Sequence, residues 1–197
     1  IRHQITARPG RQAQRRWDAA SVRGKEFCTI LNECVRGARK ELAPHLAKVT
    51  RAINKLCVTN SREAYPPGDV CYRGGGFDDR YRSFFVPRRQ FRQPAYLATS
   101  FSEDTAREFI RLRGGKDCVL WRVRIDPVRK CSHVNLVTKR VPGLPDEKEY
   151  LFAPYSAFTV LSAEWRAGTV AEPHVVELLA AVDNKEAPED LPLAPWS

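Results

Sequence analysis

The 197-residue chain contains no methionine, and no apolar run approaches the about 20 residues needed to cross a membrane. It begins at Ile1, so it is expected to be a piece of a longer product. Its six cysteines (Cys28, Cys34, Cys57, Cys71, Cys118 and Cys131) form no Cys-x-x-Cys pair, which excludes a zinc ribbon or a thioredoxin-type motif. Cys131 and His133 alone are too few to hold a metal, so no metal is expected. Buried free thiols suit a reducing compartment, and action in a reducing cytosol is expected. The glycine patterns of dinucleotide-binding Rossmann units and of P-loops are both missing. No heptad or longer repeat is sustained, which excludes coiled coils and solenoids.

Acidic residues are scarce in the first part of the chain. Lys and Arg number 33 against 23 Asp and Glu, a net charge of +10. Residues 1–17 carry Arg2, Arg8, Arg11, Arg15 and Arg16 with no acid, and read as a basic flank. Arginine dominates the basic set, and its planar fork suits phosphate or carboxylate. An anionic partner is therefore expected. With 43% apolar residues and four Trp, six Tyr and nine Phe, the chain can bury a core.

Apolar residues recur at helical spacing at Phe27, Ile30, Leu31, Cys34, Val35, Ala38 and Leu42, and again after Pro44 at Leu46, Val49, Ile53, Leu56 and Cys57. Residues 18–62 read as a helical layer. Pro66-Pro67-Gly68 ends it, and Val70-Cys71-Tyr72 reads as a strand running into Arg73-Gly74-Gly75-Gly76. Residues 77–94 mix Phe77, Tyr81, Phe84, Phe85 and Phe91 with arginines and read as a long loop. A strand is expected at 95–99, then a helix capped by Ser102 and stopped by Gly114-Gly115. Strand-like runs follow at 118–125, 133–137, 148–152, 157–163 and 175–182, before a Pro-rich, extended tail at 183–197. The class is α+β rather than alternating βαβ. A single domain is expected over 18–182, with its β core over 65–182.

Three places carry chemistry. Arg73 at a strand end, followed by glycines, sets a fixed cation beside accessible backbone N–H groups, an arrangement that suits a pyrophosphate and an amide. Leu97-Ala98-Thr99-Ser100-Phe101-Ser102 clusters hydroxyls at a strand-to-helix junction. Ser102 serves as a cap, whereas Ser100 has no such structural need. Glu147 and Glu149, two apart in a strand, would project from one face. Like charges so placed call for a cation or a reacting centre between them, and paired carboxylates serve an oxocarbenium-like transition state.

In this order and spacing the three places resemble the mono-ADP-ribosyltransferases of the Arg-Ser-Glu class, the cholera-toxin, C3-like and ecto-transferase-like enzymes. The resemblance covers roughly residues 65–165, including Leu151 to Val160. It implies a two-sheet, mostly antiparallel core and transfer of ADP-ribose from NAD to a protein side chain, with release of nicotinamide. On it, Arg73 holds a phosphate and ribose of NAD, and the backbone of Gly74 holds the nicotinamide amide. Ala98-Thr99-Ser100 stands for Ser-Thr-Ser, so Thr99 and Ser100 belong to the NAD site and Ser100 also to catalysis. Glu149 is the catalytic glutamate, and Glu147 is the upstream glutamate linked with arginine acceptors. The family's first serine is Ala98 here. Phe84 and Phe85, in the aromatic stretch, are expected to close over the co-substrate. A monomer acting as a toxin or effector domain on an acceptor protein is expected, with serine or threonine as other acceptors. The same site turned towards water would make an NAD glycohydrolase. A basic nucleic-acid module is the rival reading, but Glu147 and Glu149 would repel phosphates.

Overall fold

The structure, a computed structural model, describes residues 27–60, 65–129, 134–135 and 146–195. The basic flank at 1–17, the pair Cys131 and His133, and Trp196 lie outside the described residues.

Helix α1 (Phe27–Val35) and helix α2 (Ala43–Asn60) form the expected layer. The α1 periodicity predicts a helix continuing to Leu42, but Gly37 ends it at φ +80°. The N–H groups of Gly37 and Ala38 return to the carbonyls of Cys34 and Glu33, the pattern of a left-handed helix stop. Pro44 sits in the first turn of α2, where no backbone N–H is required. Leu31 packs against Ile53, Cys57, Tyr96 and Leu151, tying both helices to the β core.

The strands are β1 (Val70–Gly76), β2 (Gln90–Gln93), β3 (Leu97–Ser100), β4 (Cys118–Arg124), β5 (Val134–Asn135), β6 (Glu149–Phe152), β7 (Ser156–Glu164) and β8 (His174–Ala180). They form one sheet in the order β2-β7-β8-β4-β1-β3-β6-β5, antiparallel except for the β4–β8 pair. The two sheets expected from the sequence are thus one hydrogen-bonded ladder. It has a narrow waist, because β1 and β3 are joined at the single register pair Tyr72–Ser100.

Helix α3 (Glu103–Arg113) follows β3, and the Ser102 hydroxyl accepts the Thr105 N–H as predicted. It lies directly on β1, because a Cβ at Gly74 would collide with the Ala106 carbonyl. Strand β4 shows period-2 alternation: Cys118 and Leu120 face α3, while Val119, Trp121 and Val123 face the main core.

The 77–94 stretch is not an open loop. A 3-10 segment over Asp79–Phe84 leads into β2, and Phe77, Phe85 and Phe91 lie in the main core with Trp121. The tail is extended as expected, and it is docked. Leu193 bridges Arg92 in parallel, and Ala194 is buried.

Candidate active site

The waist of the sheet sets the site. Ser100 stands opposite Tyr72 on one side and opposite Glu149 on the other. Arg73, the next residue of β1, therefore lies one strand away from the hydroxyl-bearing β3 and two from Glu149. Its Nη1 donates to the Ala98 carbonyl at 2.8 Å. Burial draws the Arg73 guanidinium below the ordinary arginine pKa, and the negative charge of Glu149 opposes that shift.

The three residues at the end of β3 divide their roles. The Thr99 hydroxyl donates to the Tyr150 carbonyl at 2.7 Å and locks β3 to β6. The Ser100 hydroxyl donates to the Glu147 carbonyl at 2.6 Å and accepts the Ser102 N–H at 3.0 Å. Ala98 contributes its carbonyl to Arg73.

The two glutamates reach the site by a route other than strand alternation. Strand β6 begins at Glu149, and between the pair Lys148 adopts φ +45°, a conformation that costs a side-chain-bearing residue of order 1 kcal/mol or more. Three hydrogen bonds hold this turn: Ser100 on the Glu147 carbonyl, Phe101 N–H on the Lys148 carbonyl, and Lys148 N–H on the Asp146 carboxylate. Glu149 is buried, with 9% of its surface exposed, while Glu147 is half-buried. Both line the same cavity.

That cavity has a volume of about 310 Å³ and is lined by Tyr72, Arg73, Gly74, Ala98, Thr99, Ser100, Glu147 and Glu149, with Cys28, Thr29, Leu31 and Asn32 of α1 over it. A second chamber of about 350 Å³ adjoins it, and Asn32, Arg73, Gly74, Tyr96 and Phe109 line both. The second chamber carries Arg36, Arg73 and Arg113 and no acidic residue. The site is therefore polarised, with carboxylates in one chamber, guanidinium groups in the other and Arg73 between them. Each chamber is in the size range of small-ligand sites.

Arg73, Gly74, Thr99, Ser100, Glu147 and Glu149 are thus brought together as the sequence suggests. Phe84 and Phe85 are not: neither lines a chamber, and both stack in the aromatic core, with ring centroids 5.5 Å apart. Their apolar area is satisfied by Phe77, Phe91 and Trp121, which corrects the expectation that they cover a ligand. Sequence reasoning missed Asn32 and Tyr96. The Tyr96 N–H donates to Asn32 Oδ1, and its hydroxyl donates to Asn54 Oδ1 at 2.9 Å, so Tyr96 clamps α1 and α2 over the site. An aromatic residue directly before the hydroxyl run was the available signal.

Away from the chambers, Asp79, Asp117 and His174 place ligand-type atoms within 4.8 Å of one another. The sequence spacing hides this cluster. The Arg82 guanidinium occupies it, 2.6 Å from Asp79 and 2.8 Å from His174 Nε2. The His174 Nδ1 already accepts the Arg166 N–H. A cation there would face a guanidinium.

No protein-family model matches the chain, and neither does any curated protein sequence. Solved structures do match. The Vis toxin, an ADP-ribosyltransferase from Vibrio splendidus, superimposes in its complex with agmatine at a TM-score of 0.57 and 17% identity, over 85% of this chain and 73% of that one. A C3-type ADP-ribosyltransferase from Clostridium botulinum matches at 0.55 and 9% identity, over 77% and 79%. A C3-type protein from S. aureus, solved with NAD, matches at 0.54 and 12%, over 77% and 79%. These likenesses give the chain the fold of the ADP-ribosyltransferase toxins.

Proposed function

We propose that the chain is an NAD-dependent mono-ADP-ribosyltransferase, moving ADP-ribose from NAD to an arginine of an acceptor protein and releasing nicotinamide. The observation that carries this reading is the convergence of Arg73, Ser100, Glu147 and Glu149 on one cavity at the waist of the sheet. The two joined chambers suit a ligand with a nucleoside at each end. The fold likeness to the S. aureus protein, solved with NAD, supports NAD as co-substrate.

The chemistry follows from burial. Breaking the bond between ribose C1′ and the nicotinamide nitrogen sends the bonding pair out with nicotinamide and leaves positive charge on the sugar. Buried Glu149 stabilises that charge from a fixed position. Glu147, nearer solvent, orients the acceptor nitrogen and takes its proton as the new C–N bond forms. The guanidinium compound agmatine in the Vis complex favours an arginine acceptor over serine or threonine. No helix among the described residues is long and apolar enough to cross a membrane. No disulfide joins the five described cysteines, in keeping with action in a reducing cytosol.

Replacing Glu149 by Gln should lower both transfer and NAD hydrolysis by two to three orders of magnitude, about 3–4 kcal/mol of barrier. Replacing Glu147 by Gln should lower transfer to agmatine or protein far more than hydrolysis, since water needs less alignment than a side-chain nucleophile. Labelled NAD with mass spectrometry of the product measures both. Near-normal turnover without Glu149 would overturn the assignment.

A further inference from the structure

We infer that His174 is an acid-operated latch: its neutral ring holds the β7–β8 connection closed, and its protonation releases that connection together with the Asp79–Phe84 segment. The inference does not rest on the transferase reading.

His174 opens β8 and is fully buried. Three parts of the chain close on its ring. From the connection, the Arg166 N–H approaches Nδ1 at 2.9 Å, and Trp165 meets the ring edge-on with centroids 5.4 Å apart. The Gly168 backbone packs so tightly that a Cβ there would lie 2.7 Å from Nε2. From the 3-10 segment, Arg82 Nη2 lies 2.8 Å from Nε2 and 2.6 Å from Asp79, and the guanidinium stands 5.4 Å over the Trp165 ring. Just before β4, Asp117 bonds Asp79, and the Cys118 N–H donates to the Gly168 carbonyl. The Arg166 guanidinium is turned to Glu164.

Both atoms that face the ring nitrogens are donors, a backbone N–H and a guanidinium N–H, and neither can accept. A neutral imidazole has one acceptor nitrogen, so it satisfies one of the two contacts whichever nitrogen carries the proton. An imidazolium satisfies neither, and it sets a second positive charge 2.8 Å from Arg82. The acceptors within reach are the carboxylates of Asp79 and Asp117, whose oxygens lie within 4.8 Å. To take them the ring must displace Arg82 from Asp79 and let go of the Arg166 N–H. The two arrangements exclude each other, which is what a histidine switch requires.

The direction follows from the surroundings. Burial first, and then the Arg82 charge, hold the ring below the ordinary histidine pKa, against the pull of Asp79 and Asp117. The closed state is therefore fully favoured above about pH 6.5, and its advantage is lost as pH falls towards the lower native value. Asp117 acts with the opposite sign, because its hydrogen bond to Asp79 holds its carboxyl up.

The test is hydrogen exchange read by mass spectrometry between pH 5.0 and 7.5, corrected for the intrinsic pH dependence of exchange. In the parent chain the opening constants of 165–173 and 79–84 should rise together below pH 6.5, by up to tenfold per pH unit for one proton. Those of β3 and β6 should not follow. His174→Asn keeps an acceptor on the Nδ1 side but does not titrate, so its opening constants should be flat over this window, whatever their level. Arg82→Gln frees the carboxylates for an imidazolium and should also flatten the slope, which covers the case in which His174→Asn does not fold. Asp117→Asn removes the opposing titration and should steepen it. A parent slope shared by His174→Asn, or by Arg82→Gln, would overturn the latch. So would exchange of the two segments that is independent of pH.

Discussion

At the scale of single residues, the Ser100 hydroxyl is consumed by backbone. It donates to Glu147 and accepts from Ser102, so it works as a positioning residue for the turn that carries both glutamates. Ser100→Ala removes one side of the support for the Lys148 φ +45° conformation. The stability cost should be about 1–3 kcal/mol, the range for stranding a buried partner. Transfer kcat should fall clearly while KM for NAD stays nearly constant, because Arg73 and the second chamber are untouched. A rise in KM with kcat preserved would place Ser100 on the co-substrate instead. The residue types of this site were legible from the sequence, but part of the reasoning was not. Strand alternation suggested the Glu147 and Glu149 pairing, whereas a turn brings them together, because β6 starts only at Glu149. At Ala98 the structure uses the carbonyl, which accepts from Arg73, and any residue supplies one.

Among the elements, β2 and the tail were least legible. A basic, aromatic stretch shows no clean period, and the partners that make Gln90–Gln93 a strand are Ser156–Thr159, far along the chain. The same holds for the tail, whose prolines signal extension but not where it docks. One buried side chain joins these elements. The Arg92 guanidinium donates to the carbonyls of Tyr155, Asn184, Ala187 and Pro188, while its backbone pairs with Pro192 and Ala194. Arg92→Ala would strand several carbonyls at once, and the expected loss is about 3–5 kcal/mol, the range for breaking a buried charged group's partnership. Arg92→Lys should rescue little, because a compact ammonium lacks the fork that reaches separated acceptors. Urea midpoints measure the loss, and limited proteolysis should show new cleavage within 183–195. An intact tail in Arg92→Ala would mean that the Leu193 bridge and the burial of Ala194 suffice.

For the whole molecule, the sheet is two lobes sharing one waist. On one side β2, β7, β8, β4 and β1 form a continuous ladder; on the other lie β3, β6 and β5, and the lobes meet at Tyr72–Ser100. Few backbone bonds cross there, so local opening should start at this junction rather than in the buried β4–β8 centre. Both chambers draw residues from the two lobes: in the first, Arg73 and Gly74 come from one, Thr99, Ser100 and Glu149 from the other. A bound dinucleotide would therefore bridge a seam that the protein itself joins weakly. At a hundredfold excess over Kd, binding to the native state alone adds about 2.7 kcal/mol. For a chain of this size that raises Tm by roughly 5–11 °C. The added protection in hydrogen exchange should concentrate on β1, β3 and β6, with β8, a largely buried strand paired on both sides, nearly unchanged. A uniform gain across the sheet would mean that the waist opens only with the whole molecule. No gain at β1 and β3 would mean that the ligand sits elsewhere.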